Sequence, residues 1–146
     1  MKRFQFTLES LERLKNAERE QREAELFKTQ KALNMLLEQM ECLQADLADH
    51  ARELGRQMDR GLSGMKACEY DNYATYLRET MEQLEKRIVQ TTAERDARRT
   101  ALLQTMRELQ ALDKLRARQY EKYLEEVRRE EEKSIGDFVS YQVTSA

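Results

Sequence analysis

Proline and tryptophan are absent from the 146 residues, glycine occurs four times, cysteine twice and histidine once. Without proline nothing forces a helix to stop, and with aromatic residues at 7% there is little to build a deep core from. One histidine, His50, excludes metal sites built on histidine pairs, and no cysteine has a histidine near it in sequence to make a catalytic dyad. No apolar run approaches the roughly 18 residues of a membrane span. Lys2 and Arg3 are followed by Phe4, Gln5 and Phe6 and then polar residues, so no signal-peptide apolar region follows them. An excess of positive charge is missing too. The net charge is -2, from 26 basic and 28 acidic residues well interspersed, which argues against a nucleic-acid binder. Gly61-Leu62-Ser63-Gly64 lacks the lysine and the flanking strand of a phosphate loop. No catalytic residue, cofactor site or metal site is expected, nor a small-molecule substrate.

What is present is charge, at 37%, among alanine, leucine, glutamate, arginine and glutamine. That is the composition of long helices that bury a narrow seam. The expected fold is all-α: a long antiparallel two-helix coiled-coil hairpin with its turn near residues 61–69. Gly55, Gly61 and Gly64 fall close together, and each interior glycine costs a helix roughly 1 kcal/mol relative to alanine. Arm one then covers about 5–60 and arm two about 70–134, within a single domain, 1–146. Ser134-Ile135-Gly136 reads as a stop, and the tail 135–146 is expected to fray in the free protein and to order on a partner. Folding at 61–64 would bring Met1 beside the C-terminal segment, some 80 Å away at ~1.5 Å per residue. One uninterrupted helix pairing with a second chain is the alternative.

Along arm one, Phe4, Leu8, Leu11 and Leu14 share a face, with Thr7 as the expected cap and Phe4 and Phe6 packing back on the first turn. The face thins from Lys15 to Glu25. It recovers as Leu33, Leu37, Met40, Gln44, Leu47, Ala51, Leu54 and Met58, close to a 3.5-residue repeat, with Leu36 and Leu43 widening the stripe. His50 is read as a helix-surface residue. Arm two opens with Tyr70, Tyr73 and Tyr76, then runs through Leu77, Met81, Leu84, Ile88, Thr91, Arg95, Arg98, Leu102, Thr105, Leu109, Leu112, Arg116, Gln119 and Tyr123. Antiparallel pairing is expected to set Arg95 and Arg98 opposite the low to middle thirties, within a turn of Glu38, as a polar layer with a salt bridge. Cys42 and Cys68 would lie on the order of 25 Å apart, too far for a disulfide.

The two ends carry a resemblance. Arg3-Phe4-Gln5-Phe6-Thr7-Leu8, followed by Leu11, Leu14 and Lys15, resembles the opening of the FliJ family of the bacterial flagellar export apparatus, whose members begin with a basic residue and Phe-x-Phe-x-Leu. Leu112-Asp113-Lys114-Leu115-Arg116-Ala117-Arg118-Gln119-Tyr120-Glu121-Lys122-Tyr123, running on to Glu130–Lys133, is similar to the family's leucine and basic stretch. The resemblance implies a coiled coil like the central stalk of rotary ATPases, entering the export ATPase hexamer and promoting its assembly or activity. It also implies contact with the cytoplasmic domain of the membrane export gate and with export chaperones. Carried over by position, Phe4, Phe6, Leu8, Leu11, Leu14, Leu112, Leu115, Arg116, Arg118 and Tyr123 are the ATPase-facing candidates. Tyr73, Tyr76 and Leu77 are chosen for the gate from aromatic content. The implied protein is cytoplasmic, associated with the membrane apparatus through its partners, and a monomer when free. A structural or adaptor coiled coil, an obligate dimer unrelated to export, is the competing reading.

Overall fold

The computed structural model describes residues 2–145, so Met1 and Ala146, and with them the expected placement of Met1 at the paired end, lie outside the described residues. Two helices make up the fold, α1 over Glu9–Arg60 and α2 over Gly64–Ser145, and they pack against each other as a helical hairpin. The turn is the three residues 61–63, the first part of the expected range; residues 64–69 already belong to α2.

Only one glycine is needed at the turn. Gly61 has φ +88°, a left-handed conformation that side chains resist, and its N–H closes the end of α1 on the Met58 carbonyl at 3.2 Å. Ser63 then starts α2: its Oγ accepts from the Lys66 N–H at 3.3 Å and its carbonyl from the Ala67 N–H at 3.0 Å. Gly55 and Gly136 lie inside helices, and a Cβ at either meets nothing within 4 Å. Gly55→Ala and Gly136→Ala should therefore each stabilise by up to about 1 kcal/mol, whereas Gly61→Ala should cost about 1–2 kcal/mol. Chemical denaturation of the three variants checks the opposite signs.

Chain contacts divide the hairpin into two units, one of Met1–Gln21 with Leu102–Ala146, the other Arg22–Ala101. In the second unit the main buried and half-buried line of α1 steps alternately by three and four, as Leu26, Thr29, Leu33, Leu36, Met40, Leu43, Leu47, His50, Leu54 and Gln57. This corrects the expected seam at every other position. Leu36, Leu43, His50 and Gln57 face α2, while Leu37, Gln44, Ala51 and Met58 are exposed. The two lines share Leu33, Met40, Leu47 and Leu54, and the polar His50 and Gln57 made the true line look the less apolar of the two. Across from it, the α2 line through Leu77, Met81, Leu84, Ile88, Thr91, Arg95 and Arg98 falls as expected, with Leu77 and Leu84 buried.

The polar layer exists without Glu38. Arg98 donates from Nη1 to the Glu25 carbonyl at 3.1 Å and to the Thr29 hydroxyl, which itself donates to the same carbonyl at 2.9 Å. Arg95 reaches Gln30 Oε1 at 3.5 Å and Asp96 on its own helix. The short turn, centred on Leu62, shifts the pairing about one helical turn toward the start of α1, so Glu38 is exposed and out of reach. At the turn end, His50 donates from Nε2 to the Tyr70 carbonyl at 2.7 Å, with its ring 5.0 Å from Tyr70 and 4.7 Å from Tyr73. It is a half-buried seam residue and not a surface one.

In the first unit the core is Phe6, Leu109 and Leu112, with Thr105. Thr7 does not cap α1; its N–H and hydroxyl turn to Gln119, whose amide Nε2 lies 3.0 Å from the Thr7 Oγ1. The Leu8 carbonyl instead accepts the first helical bond, from the Glu12 N–H at 2.9 Å. Nor does α2 stop at Ser134–Gly136, since it continues in helix to Ser145. A glycine in mid-helix costs only about 1 kcal/mol and does not terminate it.

Candidate functional site

Unit one brings together most of the residues that the sequence singles out at the two ends. Phe4, which precedes α1, packs its ring edge-on against Tyr120, centroids 5.1 Å apart, and tilted against Tyr123 at 5.6 Å. Tyr123 also donates its hydroxyl to the Lys2 carbonyl at 2.9 Å. The lead-in is thus anchored on α2, where the sequence placed it on its own helix. One Phe-x-Phe step sends Phe4 to the tyrosines and Phe6 into the buried core, which explains the alternation.

The candidates divide by exposure. Phe6 and Leu112 are buried and Phe4, Leu8, Leu115 and Tyr123 half-buried, so their surface is largely spent on holding the ends together. Leu11, Leu14, Arg116 and Arg118 remain exposed, with Leu14 at 64%. Tyr120 and Leu124, which the sequence reading left off the candidate set, are exposed as well; the Phe4 contact is what distinguishes Tyr120. Arg116, half exposed, reaches the more covered Glu12 at 3.4 Å.

Lys15 forms a cross-arm pair of this unit in which each partner shifts the other's protonation. It bridges Glu18, at 3.1 Å on its own helix, and Glu108 on α2. The Lys15 ammonium, and then the Gln104 amide, hold the Glu108 carboxyl below the usual range; the Glu108 bond, and then Glu18, hold Lys15 above its own. A carboxyl lowered in the folded state adds stability that is present above its unfolded pKa and lost as pH falls through the folded one. The lysine contribution is lost on the opposite side, as pH rises through its raised value. Glu108→Gln should therefore lower the melting temperature near neutrality, by a small amount because solvent screens the pair, and the difference from the parent should close as pH falls below about 4.5, the carboxyl's ordinary value. Melting curves between pH 3 and 7 read the difference.

Of the other set, Tyr73 and Tyr76 are exposed and stack on each other at 6.4 Å, whereas Leu77 is 2% exposed and belongs to the seam. Cys42 and Cys68 are exposed free thiols. Among the described residues no group of acidic, histidine or cysteine side chains could hold a metal, and no helix is long and apolar enough to cross a membrane.

A helical hairpin with both terminal segments in one unit defines the class: an all-α, coiled-coil-like protein. The chain belongs to the FliJ family: residues 4–146 match the model of the flagellar FliJ protein, and that makes it a component of the flagellar export apparatus. No curated protein and no solved structure matches it.

Proposed function

We propose that the protein binds the flagellar export ATPase through the end formed by unit one and promotes assembly or activity of the ATPase hexamer, without catalysing a reaction itself. The observation that supports this most directly is the anchoring of Phe4 on Tyr120 and Tyr123, which brings both family-like terminal segments into one unit. Leu11, Leu14, Arg116 and Arg118 are the contact residues in this reading, and Phe4, Phe6, Leu8, Leu112, Leu115 and Tyr123 hold them in place. An apolar pair beside arginines suits a partner surface, since arginine combines an apolar stem with a charge that is cheap to desolvate.

The same reading gives the protein two further partners, the cytoplasmic domain of the export gate and export chaperones, and keeps it in the cytoplasm, at the membrane only through them. Tyr73 and Tyr76 are the proposed gate contact, with Leu77 beneath them as support. The hairpin closes its seam within one chain, so the free protein is expected to be a monomer. The test is addition of the purified protein to the cognate ATPase, which should raise turnover or ring formation. No change at saturating concentration overturns the proposal.

A further inference from the structure

The line Leu37, Gln44, Ala51 and Met58, which the sequence marks at heptad spacing, stands exposed beside the seam of α1. It does not stand alone. Asn34, Glu41, Ala48 and Gly55 precede its members by three residues, and Phe27 with Gln30 extends the pair one heptad toward the start of the helix, so positions stepping by three and four form a single face. All but the half-buried Gln30 are exposed, Phe27 at 70% and Met58 at 63%. Glu41 is the one charged residue of this face, in a chain that is 37% charged, so it is not the ordinary solvated side of a long helix. The face belongs to the unit Arg22–Ala101 and not to the one that carries the proposed ATPase contact.

Side-chain size is ordered along it. Phe27 and Leu37 stand in the first half, Ala48, Ala51 and Gly55 in the second. Gly55 weakens α1 with no return inside the hairpin, since a Cβ there meets nothing within 4 Å. What it supplies is room for an outside side chain. Around Ala48 and Ala51 a groove of about 400 Å³ opens onto Leu47 and Leu54 of α1 and Met81 of α2, with Gln44 and Arg78 also in its wall. The groove suits a bulky apolar residue with a carboxylate close by, to meet the arginine.

The same face, reversed, meets both conditions. Laid antiparallel on its own copy about a point between Glu41 and Gln44, it sets Leu37 over Ala48, Asn34 over Ala51 and Gln30 over Gly55, in each case the larger residue against the smaller. Phe27 then meets Met58. The one charge, Glu41, comes against Gln44 and the groove wall that holds Arg78, where two donors face its carboxylate. Parallel pairing would instead bring Glu41 against its own counterpart, and a slide of one heptad would bring it against Leu37 or Ala51. The row outside the face, Lys31, Glu38, Arg52 and Asp59, carries no net charge and so repels no copy of itself. Area sets the strength: face and groove together offer about 15 residues at roughly 30–40 Å² each, on the order of 1,000 Å² over both copies, the lower edge of a specific interface.

We infer that two copies of this chain pair antiparallel through this face, with a dissociation constant on the order of 10–100 μM. Dilute protein therefore stays a monomer, and pairing follows local concentration. The inference does not rest on the ATPase reading.

Sedimentation equilibrium of the full-length protein under reducing conditions, from about 1 to 500 μM, should show reversible dimer formation. Leu37→Glu and Ala48→Lys should each weaken it at least tenfold, because each places an unpaired charge in two apolar layers of the pair. Mixed in equal amounts, the two variants should associate at least as tightly as the parent, since the antiparallel register sets position 37 of one copy against position 48 of the other. Both positions are exposed, so the melting temperature of dilute protein should hardly change. Gly55→Leu should raise that temperature and still weaken pairing, a split that a purely structural role for the glycine does not give. A monomer throughout the range, self-association that Leu37→Glu leaves intact, or a mixture no tighter than either variant alone overturns the inference.

Discussion

Leu36→Ala is expected to destabilise the protein by about 2–5 kcal/mol, whereas Leu37→Ala, one residue on, should cost less than about 1 kcal/mol. The chemistry of the two changes is identical, so the contrast isolates position. Leu36 is 7% exposed in the α1 line that faces Leu84 and Ile88, and truncation there leaves a cavity between two helices that cannot close independently. Leu37 is 43% exposed and its removal returns surface already in contact with water. Urea unfolding followed by circular dichroism reads both. Equal losses would mean that the seam runs through Leu37 and that the assignment of His50 and Gln57 to it is wrong. A two-helix protein has few other contacts to absorb the change, so the Leu36 variant should give up a large share of a total stability in the usual range of about 5–15 kcal/mol and unfold at a clearly lower urea concentration.

The second contrast separates holding from touching. Phe6→Ala should cost about 3–5 kcal/mol within the first unit, since Phe6 is 5% exposed and, among the described residues, that unit has only Leu109, Leu112 and Thr105 beside it as buried residues. Leu14→Ala should leave stability nearly unchanged, because the side chain is 64% exposed. Under the proposed function both variants lose stimulation of the ATPase, but by different routes. Phe6→Ala should show early loss of hydrogen-exchange protection over residues 9–21 and 102–127, with Leu33, Leu36 and Leu77 still protected. Leu14→Ala should keep full protection and lose stimulation alone. If Leu14→Ala and Leu11→Ala stimulate as well as the parent, the apolar contact lies elsewhere on this end, and Tyr120 with Leu124 is the next pair to change.

Much of this fold was legible because its determinants are local. The absence of proline, the surplus of helix-forming charged residues and the gathered glycines point to two helices and a turn, and the α2 seam was read residue for residue from Leu77 to Leu112, though beyond it Arg116 is exposed and Leu115 half-buried. The α1 seam was only half readable. Two lines one residue apart share Leu33, Met40, Leu47 and Leu54, and of the four residues that decide between them two on the correct line, His50 and Gln57, are polar. His50 gains its place through the Tyr70 carbonyl, and no spacing rule announces that partner. The polar layer was anticipated from Arg95 and Arg98, but the acceptors of Arg98 are a backbone carbonyl and Thr29, which carry no charge signature.

The terminal site shows the same division. Phe4, Phe6 and the leucines of both ends stand out in the sequence, and so does their family. Which of them are buried does not, because exposure at a helix end is set by the opposing helix: Phe6 goes under, Leu14 stays out, and Tyr120 becomes part of the site only through Phe4. The sequence by itself therefore determined the helices, the bend and the kinship, all of which follow from backbone propensity and residue order. Register, and with it the choice between Leu36 and Leu37 and between Glu38 and Thr29, was decided only by the tertiary structure. A three-residue turn fixed at Gly61 and Ser63 sets how far each arm slides along the other, and side-chain burial follows from that offset.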